Sequence, residues 1–138
     1  MPFETLFTAV ATAKGGRRGH SQTSDGSVSV DLGSPKNGAM EPGKTTPEHL
    51  FAAGYAACFG SALEAVAKKQ GVDAAEAEVT VEASLGKVED GYALAVKISG
   101  RIPGQDQAAM QALLEAAHQG CPYSKATRGN IDVTVSAA

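Results

Sequence analysis

Hydrophobic and polar positions follow two different periods along the chain, and the longer period predicts a central helix. Residues 50–63 contain no charged side chain, and large apolar residues recur there at helical spacing in several directions. A helix that is apolar on all faces is usually buried, so residues 45–70 are predicted to form a core helix. The uncharged run is shorter than the roughly 20 residues that span a bilayer, which favours the core of a soluble protein.

The start of this predicted helix carries several capping signals. Thr45 or Thr46 can cap it, Pro47 suits its first turn, and Thr45 with Glu48 fits a capping box. Glu48 also lies where the helix dipole favours a negative charge.

Alternation with a period of two predicts strands elsewhere in the chain. The predicted strands are residues 4–13, 28–32, 77–88, 92–100 and 130–136. Residues 77–88 and 92–100 flank the turn at residues 89–91, which predicts an antiparallel hairpin. Residues 33–44 are rich in Gly, Pro, Ser and Asn and are predicted to be an exposed, mobile loop.

A second helix is predicted over residues 105–119, with Gly120 ending it and a short helix beginning at Cys121. Helices separated in this way from antiparallel strands are typical of the α+β class.

Length and composition favour one cytosolic domain covering residues 1–138. At 138 residues and 43% hydrophobic content the chain can bury a core without disulfide support. The N-terminal segment contains Glu4 and lacks the apolar run of a signal peptide, which predicts a reducing, cytoplasmic environment. A net charge of −3 and the absence of Trp argue against nucleic acid or an anionic membrane as the main partner.

Two cysteines are the candidate chemistry. Cys58 lies in the uncharged run of the predicted helix, and Cys121 lies far along the chain, just before Pro122. Their spacing fits neither a Cys-x-x-Cys motif nor a zinc site, and the pair with the three histidines fits no metal pattern. Three interpretations stay open: a structural disulfide, two unrelated buried thiols, or a nucleophile with a resolving partner.

A nucleophilic Cys58 would need a nearby cation, because burial in apolar surroundings raises the pKa of a thiol. Arg17, in the glycine-flanked loop of residues 15–20, is the favoured cation, and Glu48 is the candidate anion for it. The simpler alternatives are a solvated surface arginine and a helix-capping glutamate.

Helix geometry limits how these residues can meet. Glu48 and Cys58 are ten positions apart, or about 15 Å along a straight helix. Either the helix breaks near Gly54, or the glutamate serves the cysteine of a second subunit packed antiparallel along the same helix. The second arrangement also covers the remaining apolar faces, and it predicts an isologous homodimer with composite sites.

Three ordered motifs resemble the organic hydroperoxide resistance (Ohr) family of the OsmC-like superfamily. They are Gly15-Gly16-Arg17, then Pro47-Glu48-His49-Leu50-Phe51-Ala52-Ala53-Gly54-Tyr55-Ala56-Ala57-Cys58-Phe59, and finally Cys121-Pro122-Tyr123-Ser124-Lys125-Ala126-Thr127-Arg128-Gly129-Asn130. The resemblance covers nearly the whole chain. It implies an OsmC-like fold, with antiparallel sheets around long central helices in an intertwined homodimer.

The resemblance also implies residue roles. Cys58 matches the peroxidatic cysteine, Cys121 the resolving cysteine, Arg17 the catalytic arginine and Glu48 its carboxylate partner. The family uses no metal or bound cofactor, and it takes electrons from dihydrolipoyl groups of lipoylated proteins.

The expected activity is therefore that of a cytoplasmic thiol peroxidase in the oxidative stress response. Alkyl or fatty-acid hydroperoxides are reduced to alcohols through a Cys58 sulfenic acid and a Cys58–Cys121 disulfide. Phe51, Tyr55 and Phe59 are the candidates to line the apolar substrate site. The alternatives are a non-catalytic redox-switch or ligand-binding module and, from another class, a Cys-dependent hydrolase using His49 or His118 as its base.

The chain departs from the family pattern at three positions. Arg18 stands where the family usually has Asp, and Thr46 and His49 stand where it usually has Asn and Gln. Arg18 raises the question of which arginine faces the thiolate, and Arg17 is favoured. His49 could change the charge of the site at mildly acidic pH.

Overall fold

The computed structural model describes residues 2–138, and the chain divides into two compact units, Met1–Leu50 and Phe51–Ala138. Helices and antiparallel strand pairs occupy separate segments, which confirms the α+β class. That residues 1–138 act as one domain stays a prediction.

The first unit contains a four-stranded sheet with strand order β1-β2-β3-β4. The strands are β1 (Ala11–Lys14), β2 (His20–Thr23), β3 (Ser29–Leu32) and β4 (Lys44–Thr45). The first three strands pair antiparallel, and β4 pairs parallel to β3. A 3₁₀ helix at Gly16–Arg18 connects β1 to β2, where the sequence predicted a loop.

The predicted strand over residues 4–13 is wrong for residues 4–10. Only Ala11–Lys14 pairs with β2, and residues 2–10 have no regular secondary structure. The reason is the length of the partner: β2 ends at Thr23, which lies opposite Ala11, and the chain then turns. An alternating pattern becomes a strand only where a neighbour supplies hydrogen bonds, so Phe3, Leu6 and Phe7 are left 85% or more exposed.

The segment of residues 33–44 is largely irregular, as predicted, with one isolated bridge between Lys36 and Ala39. Its mobility stays a prediction.

Helix α1 (Pro47–Lys69) confirms the predicted central helix, and Thr46 is the one of the two candidate threonines that caps it. The backbone N–H of His49 donates to Thr46 Oγ1 at 3.1 Å, so the cap is Thr46 and the predicted Thr45–Glu48 capping box is wrong. The Glu48 carboxylate is thereby left available to another partner.

The second unit contains a three-stranded sheet and two further helices. Its strands are β5 (Glu78–Val88), β6 (Gly91–Arg101) and β7 (Asp132–Ala137), and its helices are α2 (Gln107–Gly120) and α3 (Pro122–Thr127). The predicted hairpin is confirmed as β5 paired antiparallel with β6. The last strand, β7, pairs parallel to β6, so each sheet contains one parallel pair.

One stripe of α1 enters the core of the second unit. Tyr55, Phe59, Leu63 and Ala67 recur every four residues and are fully buried. They belong to one cluster with the apolar faces of α2 and β6, including Leu114.

The expectation that α1 is buried all round is wrong for this single chain. Four of its 23 residues are buried, and the other faces are partly or fully exposed. By length and hydropathy α1 would also be long enough to cross a membrane, with a mean hydropathy of 1.5 over 18 residues, but the core helix of a soluble protein meets the same description.

Replacing Leu114 with Ala should lower the free energy of unfolding by about 2–5 kcal/mol, because Leu114 is fully buried and the substitution leaves a cavity. Urea unfolding followed by circular dichroism measures the change. Leu85→Ala is the matched control, since Leu85 is 46% exposed and should cost less than about 1 kcal/mol. Equal losses in the two variants would contradict this assignment of the core.

Candidate functional site

The two cysteines meet within the second unit. Cys58 lies in the middle of α1, and Cys121 lies at the junction of α2 and α3. Their Sγ atoms are 3.6 Å apart, both thiols are free, and the Cys121 thiol donates toward the Cys58 sulfur. An S–S bond is about 2.05 Å long, so closing it requires the sulfurs to approach by about 1.5 Å. Of the three interpretations left open by the sequence, the contact favours the two in which the cysteines act together.

Local sequence fixes Cys121 at its junction. Its backbone N–H donates to the carbonyl of Ala117 at 2.9 Å, which completes the last turn of α2. Pro122 then begins α3, since proline is tolerated at the first position of a helix. Cys121 is fully buried, whereas Cys58 is partly exposed, so Cys58 is the sulfur that an external molecule can reach.

Burial raises the pKa of the Cys58 thiol. A hydrogen bond from the backbone of Tyr123 lowers this pKa, and the neighbouring Cys121 raises it further. Within the second unit, the groups that act on Cys58 do not include a cation. An efficient nucleophile at this position therefore needs a positive charge from elsewhere.

A guanidinium and a carboxylate pair closely within the first unit. Arg17 Nη1 and Nη2 donate to Glu48 Oε1 and Oε2 at 2.7 and 2.9 Å, a bidentate arrangement. The pair lowers the pKa of the Glu48 carboxyl and raises the pKa of Arg17, mainly through these hydrogen bonds. The predicted association of Arg17 with Glu48 is thus present, while the role of Arg17 toward Cys58 stays a prediction.

Two glycines shape the loop that carries Arg17. Gly15 has a φ of +83°, a conformation that side chains rarely adopt. A Cβ on Gly19 would lie 1.7 Å from the carbonyl oxygen of Lys14. Only a chain without side chains at these positions closes the loop this tightly.

Arg18 occupies a different environment from Arg17. It lines a cavity of about 650 Å³ in the first unit together with Lys36, Glu41 and Lys44. Glu41 forms an ion pair with Lys44 at 2.9 Å. Within this unit Glu48 therefore pairs with Arg17, which supports the preference for Arg17 over Arg18.

The three aromatic residues predicted to line a substrate site differ in exposure. Tyr55 and Phe59 are fully buried in the core, and Phe51 is partly exposed. Phe51 and Tyr55 pack edge to face, with ring centroids 5.8 Å apart. Tyr123 packs beside them. Its ring centroid lies 6.5 Å from that of Phe51, and the residue is 41% exposed. Contact of these residues with a substrate stays a prediction, and the accessible apolar surface belongs to Phe51 and Tyr123.

Gly54 makes room for Tyr123. A Cβ on Gly54 would lie 3.3 Å from the Tyr123 hydroxyl, so a larger residue would press on that ring. Helix α1 runs unbroken through this glycine, and the predicted alternative of a break near Gly54 is wrong.

The histidines have local partners. His49 Nδ1 lies 2.6 Å from Thr46 Oγ1, and His20 Nδ1 lies 2.8 Å from Asp31 Oδ1. His118 Nδ1 lies 2.7 Å from Ser124 Oγ. Across residues 2–138, three or more His, Cys, Asp or Glu side chains are nowhere grouped to hold a metal ion.

Sequence reasoning missed a set of polar residues beside the cysteines. Tyr55, His118, Ser124 and Thr127 form a hydrogen-bonded group in the second unit. From the sequence, Tyr55 was interpreted as an apolar residue and His118 as a possible base. Ser124 and Thr127 were noted only as motif residues. The available signal was the density of hydroxyl-bearing residues in residues 123–127, directly after Cys121.

Comparison with known proteins agrees with this geometry. A family model described as "OsmC-like protein" matches residues 38–136. The organic hydroperoxide resistance protein of Xanthomonas axonopodis pv. citri is 44% identical to this chain, covering 99% of this chain and 98% of the relative. The organic hydroperoxide resistance protein OhrB of Bacillus subtilis is 47% identical, with 93% and 95% covered.

Solved structures give the same result for the fold. The crystal structure of an organic hydroperoxide resistance protein from Legionella pneumophila aligns with a TM-score of 0.88 at 45% identity, covering 98% of this chain and 99% of that one. The crystal structure of Bacillus subtilis OhrB aligns with a TM-score of 0.86 at 46% identity, with 97% and 100% covered. The expected OsmC-like fold is confirmed.

Replacing Gly19 with Ala should displace the loop that carries Arg17, because the added methyl group overlaps the Lys14 carbonyl. We expect a loss of about 1–3 kcal/mol in the free energy of unfolding and faster amide hydrogen exchange in residues 14–20. Gly86→Ala is the matched control, since a Cβ there meets nothing within 4 Å. Unchanged exchange in Gly19→Ala would contradict the tight loop.

Proposed function

Because the chain belongs to the OsmC-like family, and within it to the organic hydroperoxide resistance proteins, we propose that it is a thiol peroxidase that reduces organic hydroperoxides to alcohols. The observation that carries the proposal is the 3.6 Å approach of the Cys58 and Cys121 sulfurs, one partly exposed and the other buried. A partly exposed sulfur can meet a peroxide, and a buried sulfur beside it can complete a disulfide.

In the first step the Cys58 thiolate attacks one oxygen of the hydroperoxide. The O–O bond breaks, its electron pair leaves with the alkoxide, and the alkoxide takes a proton to become an alcohol. Cys58 keeps the other oxygen as a sulfenic acid. The sulfur is oxidised by two electrons, and the peroxide is reduced by two.

In the second step the Cys121 sulfur attacks the sulfenic sulfur. The S–O bond breaks, water leaves, and a Cys58–Cys121 disulfide forms. The disulfide protects Cys58 from further oxidation to a sulfinic acid. An external dithiol restores both thiols by exchange, and dihydrolipoyl groups of lipoylated proteins are the proposed reductant.

Arg17 is proposed to stabilise the Cys58 thiolate. Burial raises the pKa of Cys58, and this pKa must fall for efficient attack near neutral pH. A guanidinium stays charged in poor solvent, and its bidentate bond to Glu48 fixes its orientation.

A second copy of the chain is proposed to complete each site. Because α1 is continuous from Pro47 to Lys69, Glu48 and Cys58 of one helix are about 15 Å apart. Two α1 helices packed antiparallel would bring the Arg17–Glu48 pair of one chain to the cysteines of the other. The apolar faces of α1 that a single chain leaves exposed, and the exposed Phe3, Leu6 and Phe7, would then be covered.

The proposed substrates are alkyl and fatty-acid hydroperoxides. Phe51 and Tyr123 offer apolar surface on the elements that carry the two cysteines, and an organic tail gains from leaving water there. Hydrogen peroxide has no such tail. The proposed location is the cytoplasm, where thiols are kept reduced.

Replacing Cys58 with Ser should abolish the consumption of cumene hydroperoxide in the presence of dihydrolipoamide, because the oxygen-accepting sulfur is lost. Cys121→Ser should instead consume one equivalent to form the Cys58 sulfenic acid and a second as that acid is oxidised to the sulfinic acid, and then stop. Peroxide assay and intact-mass analysis measure both outcomes. Full turnover by Cys58→Ser would end the proposal. In the unmodified protein, a disulfide with negligible turnover would favour a redox switch. Burst release from an activated ester without a disulfide would favour a hydrolase.

Replacing Arg17 with Gln should raise the pKa of Cys58, since a thiolate without a cation is less stable. Alkylation of Cys58 by iodoacetamide should then reach its maximum at higher pH, and kcat/KM should fall by about 10- to 100-fold. Arg17→Lys should be intermediate, because Lys keeps the charge but loses the bidentate geometry.

Arg18→Gln is the matched control for this experiment, since Arg18 lines a separate cavity. Its pH profile should match that of the unmodified protein. Identical profiles for the Arg17 and Arg18 variants would remove Arg17 from the mechanism.

A further inference from the structure

A buried hydrogen bond runs beside the two cysteines. Tyr55 lies three residues before Cys58 on α1, and Ser124 lies three residues after Cys121 on α3. The Tyr55 hydroxyl and Ser124 Oγ are 2.8 Å apart, and both residues are fully buried. Positions three apart are neighbours on a helix surface. The bond therefore joins α1 to α3 one helical turn away from the place where the sulfurs meet.

Two further residues extend this bond into a network, here called the hydroxyl clamp and consisting of Tyr55, Ser124, Thr127 and His118. The Tyr55 hydroxyl lies 3.1 Å from Thr127 Oγ1, and His118 Nδ1 lies 2.7 Å from Ser124 Oγ. Thr127 Oγ1 also donates to the Ser124 carbonyl at 3.2 Å. The clamp thus ties together α1, α2 and α3, the three helices that adjoin the cysteine pair.

The hydrogens of the clamp can be assigned in one consistent direction. If His118 Nδ1 donates to Ser124, then Ser124 donates to Tyr55, Tyr55 to Thr127, and Thr127 to the Ser124 carbonyl. Each hydroxyl then donates once and accepts once. If Nδ1 lacks its hydrogen, Ser124 must donate to His118 and Tyr55 to Ser124. Thr127 would then have to leave the Ser124 carbonyl to keep its bond with Tyr55.

The electrostatics of His118 favour a neutral ring. Burial lowers the pKa of His118, and the nearby positive charge of Arg128 lowers it as well. The Arg128 guanidinium donates to the His118 carbonyl at 2.6 Å. A neutral imidazole still offers one N–H donor, which is the number that the clamp requires.

The short helix α3 needs such an anchor. It has six residues, and its N-cap, Cys121, makes no side-chain capping bond. A helix of this length is not stable by itself. Its position, and with it the position of the Cys121 sulfur, therefore depends on tertiary contacts, and the clamp supplies the hydrogen bonds between hydroxyl groups among them.

We propose that the hydroxyl clamp is a positioning device for disulfide closure, holding Cys121 within reach of Cys58 while leaving the attack on peroxide to Cys58. This inference rests on the proposed function and deepens it. The hydrogen bonds of the clamp run between its own residues and α3, and Ser124 acts on Cys121 through α3. Loss of the Ser124 hydroxyl should therefore slow the second step and leave the first step unchanged.

The test is a single turnover of the reduced full-length protein with one equivalent of cumene hydroperoxide, comparing the unmodified protein, Ser124→Ala and Ser136→Ala. Ser136 is exposed on β7 and provides the matched control. Rapid quenching with dimedone, followed by mass spectrometry, separates sulfenic acid from disulfide. In Ser124→Ala the rate of sulfenic acid formation should be unchanged. Disulfide closure should slow by about threefold to tenfold, as expected for one hydrogen bond, and more Cys58 should be overoxidised.

A double-mutant cycle separates positioning from general destabilisation. Tyr55→Phe keeps the aromatic ring and removes the hydroxyl, so the variant combining it with Ser124→Ala should slow closure no more than the more damaging single substitution. Fully multiplicative effects on closure would overturn the clamp. So would a parallel fall in the rate of the first step in Ser124→Ala, or closure in Ser124→Ala as fast as in Ser136→Ala.

The two proposals fail in different ways. If the unmodified protein forms no dimedone adduct and no disulfide, the peroxidase proposal fails. If it forms both and Ser124→Ala closes its disulfide at the same rate, the peroxidase proposal stands and the clamp is overturned.

Discussion

The approach of two sulfur atoms to 3.6 Å is the constraint on which the second unit depends. It requires the middle of a 23-residue helix to meet the junction of two shorter helices, across 63 positions of sequence. The apolar stripe of Tyr55, Phe59, Leu63 and Ala67 places α1 in the core. The chain turns at Cys121, between the end of α2 and the start of α3 at Pro122, and this turn directs Cys121 toward α1. Packing thus brings the sulfurs together before any covalent bond exists.

The same burial that brings the two sulfurs together also opposes the proposed attack by the Cys58 thiolate. A thiol surrounded by apolar atoms keeps its proton, and a kept proton makes it a poor nucleophile. The first unit holds the residue best suited to compensate: Arg17, fixed by Glu48 in a loop that only glycine permits. In the proposed dimer, where Arg17 of one chain serves Cys58 of the other, the sulfur would become reactive only after two chains assemble.

Periodicity predicted most of the fold but failed where an element depends on its neighbours. The three helices and the β5–β6 hairpin follow from patterns internal to each segment, and their ends were placed within about three residues. The segment before Ala11 alternates like a strand, yet the length of β2 decides where pairing stops. The sequence could not choose between Thr45 and Thr46 as the cap, because a shift of one residue leaves the pattern unchanged; the fold selects Thr46, and the capping box on Thr45 is wrong.

In the candidate site, too, local signals predicted some residues, while contacts that depend on packing were not predicted. The motifs predicted both cysteines, the arginine and the glutamate, and the association of Arg17 with Glu48 followed from charge. The hydrogen bond between Tyr55 and Ser124 spans 69 positions and has no periodic signature. Polar partners that find each other only after the helices pack cannot be identified from one sequence.

Full burial of Cys121 has a consequence for the return half of the cycle. A dithiol that reduces the bridge attacks the sulfur it can reach, and in this fold the accessible atom is that of Cys58. In the proposed cycle the intermediate formed with the reductant is therefore attached to α1, and Cys121 is the leaving group. Cys58 would thus first accept oxygen from the substrate and later react with the electron donor, so the two molecules would have to bind one after the other at the same opening.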